Sequence, residues 1–174
     1  MAQELVGQSP KGYAALLKDL KERIRAARLR SALAVNQELI LLYWSIGKDI
    51  LVRQGQEGWG TRIVDQLSAD LHRDFPEMTG LSSHNLKYMR AFAEAYRDPS
   101  FVQQVVAQLP WGHNVRLLEL AKDPPEREWY ARQTIEHGWS RNIFVHQIES
   151  RLFHRQGKAI KFRRSRKLAL ELSR

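Results

Sequence analysis

The sequence predicts an all-α fold: a compact multi-helix domain with helix-turn-helix-like helix pairs and a basic C-terminal tail. Three observations carry that expectation. Apolar residues recur at helical spacing along most of the chain. Serine or aspartate start signals stand before several of these stretches, with glycine or proline after them. No segment alternates apolar and polar residues as a half-buried strand would.

Each helix follows from local chemistry. Tyr13, Leu16, Leu17, Leu20 and Ile24 share one face, with Lys18, Lys21, Glu22 and Arg25 mostly off it. A second helix is expected over about Ser31 to Arg53, where the run Leu39–Trp44 is apolar all round, as suits a central buried helix. The glycine-rich stretch Gln54–Gly60 should end it. Ile63, Val64, Leu67 and Leu71 place a third helix over about Thr61 to Asp74, stopped by Pro76. Ser82 or Ser83 caps the next, with Leu86, Met89, Ala93 and Tyr96 inward. Asp98-Pro99 interrupts the chain, and a short helix is expected over Ser100 to Gln108. The sequence reads Pro110–His113 as a turn and Asn114 as the cap of a helix ending near Ala121. Asp123 suits a cap, Pro124 the first helical position and Glu126 the capping-box position, in a helix that Gly138 closes. Ser140 then caps a last helix bearing Phe144, Ile148 and Leu152 inward.

These elements divide the chain into a polar N-terminal segment (1–11), a helical domain (12–156) and a basic tail (157–174), read also as the start of a linker. With 174 residues the domain can bury a proper core. Hydrophobic residues at 43% and charged residues at 27% place it among globular rather than disordered chains. There is no cysteine, so disulfides and thiolate metal sites are excluded. Met1–Pro10 lacks the pattern of a signal peptide, and Leu39–Trp44 is far too short to cross a bilayer. A cytoplasmic protein without membrane contact is the expectation. The net charge of +9 is concentrated: residues 1–150 hold 19 Lys/Arg against 18 Asp/Glu, and residues 151–174 hold nine against one. Such a tail suits either a polyanion or simple solvation.

Catalytic patterns are missing from the sequence. No Gly-x-Ser-x-Gly elbow and no His-Glu-x-x-His zinc motif occurs. His72, His84, His113, His137, His146 and His154 read as structural or surface groups. Gly55, Gly58 and Gly60 lack the Lys-Ser/Thr of a phosphate loop and read as an interhelical connection. A PD-(D/E)xK nuclease site needs acids that hold Mg²⁺ and a lysine beside the attacking water. No Glu-x-Lys is present. Asp19-Leu20-Lys21 is the one Asp-x-Lys and sits on an amphipathic helix, while Glu149-Ser150-Arg151 has arginine in place of lysine. No catalytic residue, metal or cofactor is therefore expected.

Nucleic-acid binding has more support. Thr61–Tyr96 reads as helix, turn, capped helix, and its second helix presents Ser82, Ser83, His84, Asn85, Lys87 and Arg90. Serines and backbone N–H groups at a helix start suit phosphate, while Asn and Arg can read base edges. A tighter pair, Glu126–Gln156, exposes Arg141, Asn142, His146 and Gln147. Lys161, Arg163 and Arg164 of the tail add phosphate-binding charge. Both pairs also read as ordinary helix packing. Trp59, Trp111 and Trp139 stand beside glycines, where they either stack on bases or, the better reading, plug helix junctions.

Several stretches resemble, in order, the YhcG-type bacterial family: Ala34–Lys48 (AVNQELILLYWSIGK), Gly58–Gly60 (GWG), Leu81–Leu86 (LSSHNL), Gln108–Asn114 (QLPWGHN), Glu128–Tyr130 (EWY), Gly138–Asn142 (GWSRN) and Gln147–Ser150 (QIES). The resemblance covers about Tyr13 to Ala159. It implies a helical N-terminal targeting or regulatory module, beside which the family carries a PD-(D/E)xK nuclease domain. The family's catalytic acids belong to that second domain, so none is expected in this chain. The expected function is a non-catalytic DNA-binding module. The alternative is a protein-interaction or oligomerisation module that docks a nuclease or toxin partner, and a homo-oligomer is compatible with either.

Overall fold

The computed structural model describes residues 13–156. Among them are α1 (Tyr13–Glu57), α2 (Thr61–Asp74), α3 (Ser83–Ala95), α4 (Pro99–Gln104), α5 (Trp111–Leu120), α6 (Pro124–His137) and α7 (Arg141–Glu149). Two 3₁₀ turns, Thr79–Leu81 and Val106–Gln108, complete the regular structure, and no described residue is in a strand. The fold is all-α, as the periodicity predicts. No helix among the described residues is long and apolar enough to cross a membrane. The chain divides into two units, residues up to Val35 and residues from Asn36 onward.

In the first unit, residues 13–35 are helical and all of them are exposed. The sequence reading places separate helices on either side of about residues 25–30, but α1 is a single helix of 45 residues. The reason is local. From Ala26 to Ala34 the chain has neither glycine nor proline, and apart from Ser31 every residue is a strong helix former. Gly55 also stays inside α1. The helix stops only at Gly58, whose φ of 66° is a left-handed conformation that favours glycine.

The second unit holds the core. One cluster joins Tyr43 and Ile50 of α1, Val64 of α2, and Leu86 and Met89 of α3. A larger one gathers Ile40 of α1, Phe92 of α3, Val102 of α4, Leu117 of α5, Tyr130 of α6 and Phe144 of α7. Trp111 packs against both, with its ring 4.9 Å from Tyr43 and 5.3 Å from Phe92, edge-on to each. It therefore plugs a helix junction, the better of the two readings of that residue. Buried Gly47 lets α1 approach the backbone of α3 so closely that a Cβ there would meet the Met89 carbonyl oxygen at 1.9 Å.

Most helix starts follow their local signals. The Ser82 hydroxyl accepts from the Asn85 N–H, Asp98 from Ser100, Asp123 from Glu126, and Ser140 from Ile143. Gly138 closes α6 at φ 60°, ψ 38°. The Glu126 carboxylate lies 3.6 Å from His154 Nε2. Three elements differ from the reading. The short helix after Asp98 breaks at Val105 (φ −121°) into α4 and a 3₁₀ turn. Pro110–His113 is not a turn: α5 begins at Trp111 on Pro110, so Asn114 lies within the helix and not at its cap. Asn114 is fully buried, and its Nδ2 donates to the carbonyls of Val106 and Leu109 at 3.0 and 3.3 Å. The last helix ends at Glu149, because Arg151 adopts φ 56°, and helical structure resumes over residues 152–156.

Candidate nucleic-acid interface

Within the described residues, those singled out for nucleic-acid contact lie at the starts of α3 and α7, with Arg90 further along α3, and the start of α5 is tied to both starts. The Trp111 indole N–H donates to Asn85 Oδ1 at 2.7 Å, joining the first turn of α5 to that of α3. His113 Nε2 lies 3.1 Å from the carbonyl oxygen of Trp139, just ahead of α7. That contact requires the Nε2–H tautomer as donor. His113 is therefore a structural group that holds two helix starts together, as its reading anticipates. The start of α5 is thus linked to that of α3 and to the residues just ahead of α7.

The side chains there divide by whether the fold already uses them. Asn85 is used: its Nδ2 donates to the Gly80 carbonyl while its Oδ1 accepts from Trp111. Both ends of its amide are thus engaged in bracing the α3 start. Ser82 Oγ is engaged as the α3 cap. Arg90 donates to Gln54 and pairs with Glu94 at 3.2 Å. Ser83 is half-buried in the first turn of α3. Exposed His84 rests edge-on against Tyr88 at 4.8 Å between ring centroids, and Lys87 is exposed. Arg141 and Asn142 are exposed in the first turn of α7, and among the described residues neither is drawn into an ion pair. Lys161, Arg163 and Arg164 lie outside the described residues.

Arg141 stands close to the start of α5. A Cβ added at Gly112 would lie 4.0 Å from its Nη1. The α5 start has no side-chain cap, since Pro110 offers none. Arg116, one turn further along α5, lines a shallow surface depression with Arg141, Asn142, Val145, His146 and Glu149. Sequence reasoning missed Arg116, because a lone arginine in mid-helix carries no local signal of its neighbours.

Arg116 is held by Glu119 at 3.0 Å, and Glu119 also accepts from the Tyr88 hydroxyl of α3. The Tyr88 hydrogen bond, helped by Arg116, holds the Glu119 carboxyl below its ordinary value of 4.5. The same bond pushes the Tyr88 hydroxyl above 10.0. For a depressed carboxyl, the stabilising contribution is complete above the ordinary range and is lost as pH falls through the folded-state value. Replacing Tyr88 with Phe should therefore raise the Glu119 pKa and move that loss to higher pH. NMR titration of the Glu119 side-chain carboxyl in wild type and Tyr88→Phe checks this; an unchanged midpoint would refute it.

Among the described residues, no group of three or more His, Asp or Glu side chains is placed to hold a metal. Asp19 and Lys21 lie on the exposed, helical N-terminal part of α1, where Asp19 pairs with Arg23 at 3.5 Å. Glu149 and Arg151 flank the break at the end of α7.

Comparison with curated proteins and with solved structures found no match. A family model, the DUF1016 N-terminal domain, matches residues 19–155, most of the chain and the same stretch in which the ordered motifs occur. The chain belongs to the DUF1016 N-terminal domain family, which is the YhcG-type N-terminal domain.

Proposed function

We propose that this chain is a non-catalytic DNA-binding module whose contact edge is the gathered starts of α3, α5 and α7. The observation that carries the reading is the uncapped first turn of α5 with the Arg141 guanidinium beside Gly112. Free backbone N–H groups at a positive helix end, next to an arginine, suit a phosphate oxygen. Asn142 and His146 extend the same exposed edge of α7, which follows α6 after only Gly138–Ser140. That spacing suits a helix-turn-helix better than the connection from α2 to α3, which runs through Phe75–Ser82. Lys87 and the tail residues Lys161, Arg163 and Arg164 supply further phosphate contacts. On the arrangement the family resemblance implies, cleavage belongs to a PD-(D/E)xK nuclease domain, and this cytoplasmic module delivers it to DNA.

Fluorescence anisotropy with a labelled duplex tests the reading. Affinity should fall steeply with salt, since each neutralised phosphate adds about 0.9 to the negative slope of log K against log salt. Arg141→Glu should weaken binding by about tenfold and lower that slope by about one. No binding at low salt, full affinity in Arg141→Glu, or complete loss on removing residues 157–174 alone would each reject the proposed edge.

A further inference from the structure

The N-terminal part of α1 has a use that the DNA reading leaves open. Over residues 13–35 the positions Tyr13, Leu17, Leu20, Ile24, Ala27, Ser31 and Ala34 keep a strict four-three spacing, the seam of a coiled coil. At 100° per residue, Leu16 lies beside this seam. The large members are in contact with solvent: Tyr13 is 48% and Ile24 56% exposed. An apolar stripe of this length on a soluble helix marks an interaction surface.

The flanks define what the stripe accepts. Lys21 and Arg28 border it on one side and Arg30 on the other, beside Arg23, which pairs with Asp19 at 3.5 Å; the other acid, Glu22, lies away from the seam. A second copy would set these cations against one another in either parallel or antiparallel register. The chain's own C-terminal segment, with nine Lys/Arg against one acid from residue 151 onward, has the wrong charge. A bilayer surface favours bulky apolar and aromatic residues along the whole face. Here the seam narrows to Ala27, Ser31 and Ala34, and small residues at a sustained heptad spacing suit the close approach of another helix.

We propose that residues 13–35 of α1 form a docking face for an acidic amphipathic helix of a partner protein. The partner helix places large apolar side chains over Ala27, Ser31 and Ala34, and carboxylates against Lys21, Arg28 and Arg30. The proposal does not depend on the DNA edge, which lies on α3, α5 and α7.

The test uses the full chain and two synthetic helical peptides of about four heptads, alike in their leucine-rich seams, one with Glu at the flanking positions and one with Lys. Anisotropy at about 50 mM salt should favour the Glu peptide by at least about tenfold, and the preference should shrink at about 500 mM salt. Leu20→Gln with Ile24→Gln should abolish binding while the melting temperature stays unchanged, because both side chains are exposed. Lys21→Glu with Arg28→Glu should move the preference towards the Lys peptide. Equal binding of the two peptides, or no binding, overturns the proposal. So does a dimer in sedimentation that the Leu20/Ile24 variant dissolves, or anionic phosphatidylglycerol vesicles that capture the chain in place of the Glu peptide. DNA affinity measured on the same samples separates this outcome from that of the proposed function.

Discussion

Gly47→Ala should destabilise the protein by about 1–2 kcal/mol or more, although alanine is the better helix former. Gly47 is buried in α1, and a Cβ there would lie 1.9 Å from the Met89 carbonyl oxygen and 2.4 Å from its carbonyl carbon. Both atoms belong to the backbone of α3, so no side chain can swing aside. Relief requires α1 and α3 to move apart, which opens the packing of Tyr43, Ile50, Leu86 and Met89 between them. Overpacking of this kind costs about 1–3 kcal/mol and more where the neighbour is rigid, against a propensity gain of roughly 1 kcal/mol. Gly55 is the internal control. It lies in the same helix, is exposed, and has nothing within 4 Å of an added Cβ. Gly55→Ala should stabilise by roughly 0.5–1 kcal/mol. Urea denaturation of the two variants should thus move in opposite directions; a neutral or stabilising Gly47→Ala would contradict the close approach of α1 to α3.

Contrasts of this kind show what the sequence could carry. Caps are local chemistry: Ser82, Asp98, Asp123 and Ser140 each accept from an N–H two or three residues on, and Gly138 supplies its own left-handed backbone. Asp123 and Ser140 are legible as caps without knowing what lies across the fold, and Ser82 as one of two candidates, whereas Asp98 reads only as a break before Pro99. Continuity of α1 had only a negative signal, the absence of any breaker between Ala26 and Ala34. The candidate interface was legible in part. Arg141 and Asn142 are exposed where capping by Ser140 places them. Asn85 looks identical in sequence, a polar residue in a capped first turn. Its partner Trp111 is 26 positions away, so no local signal shows that the Asn85 amide is engaged across the fold. The start of α5 was misplaced for the same reason. Asn114 has a strong cap propensity, but the carbonyls of Val106 and Leu109 take its amide inside the helix instead.

Asn114→Asp should be among the most damaging single substitutions in this chain, at about 4 kcal/mol or more near neutral pH. The residue is fully buried, its Nδ2 faces the carbonyl oxygens of Val106 and Leu109, and its Oδ1 is buried with no partner. Aspartate would set one carboxylate oxygen against those carbonyls and leave the other without a donor, so the charge would be both desolvated and repelled. Removing the donor alone is milder. In Asn114→Ala the Leu109 carbonyl still accepts from Asn36 Nδ2 and the Val106 carbonyl from the Leu109 N–H, so about 2 kcal/mol is expected. The two variants separate further by pH. Burial and repulsion would raise the folded-state pKa of the new carboxyl above its unfolded value of about 3.9. Stability relative to wild type is then least impaired below that unfolded value, where a protonated carboxyl can donate to the carbonyls, and it falls as pH rises towards the folded-state pKa. The Asn114→Ala deficit, with no new titrating group, should stay level across the same range. Denaturation of wild type, Asn114→Ala and Asn114→Asp at about pH 4 and pH 7 distinguishes the mechanisms. A pH-independent deficit in Asn114→Asp would mean that its carboxylate reaches water or a cation, and that the α5 start is not sealed around this side chain.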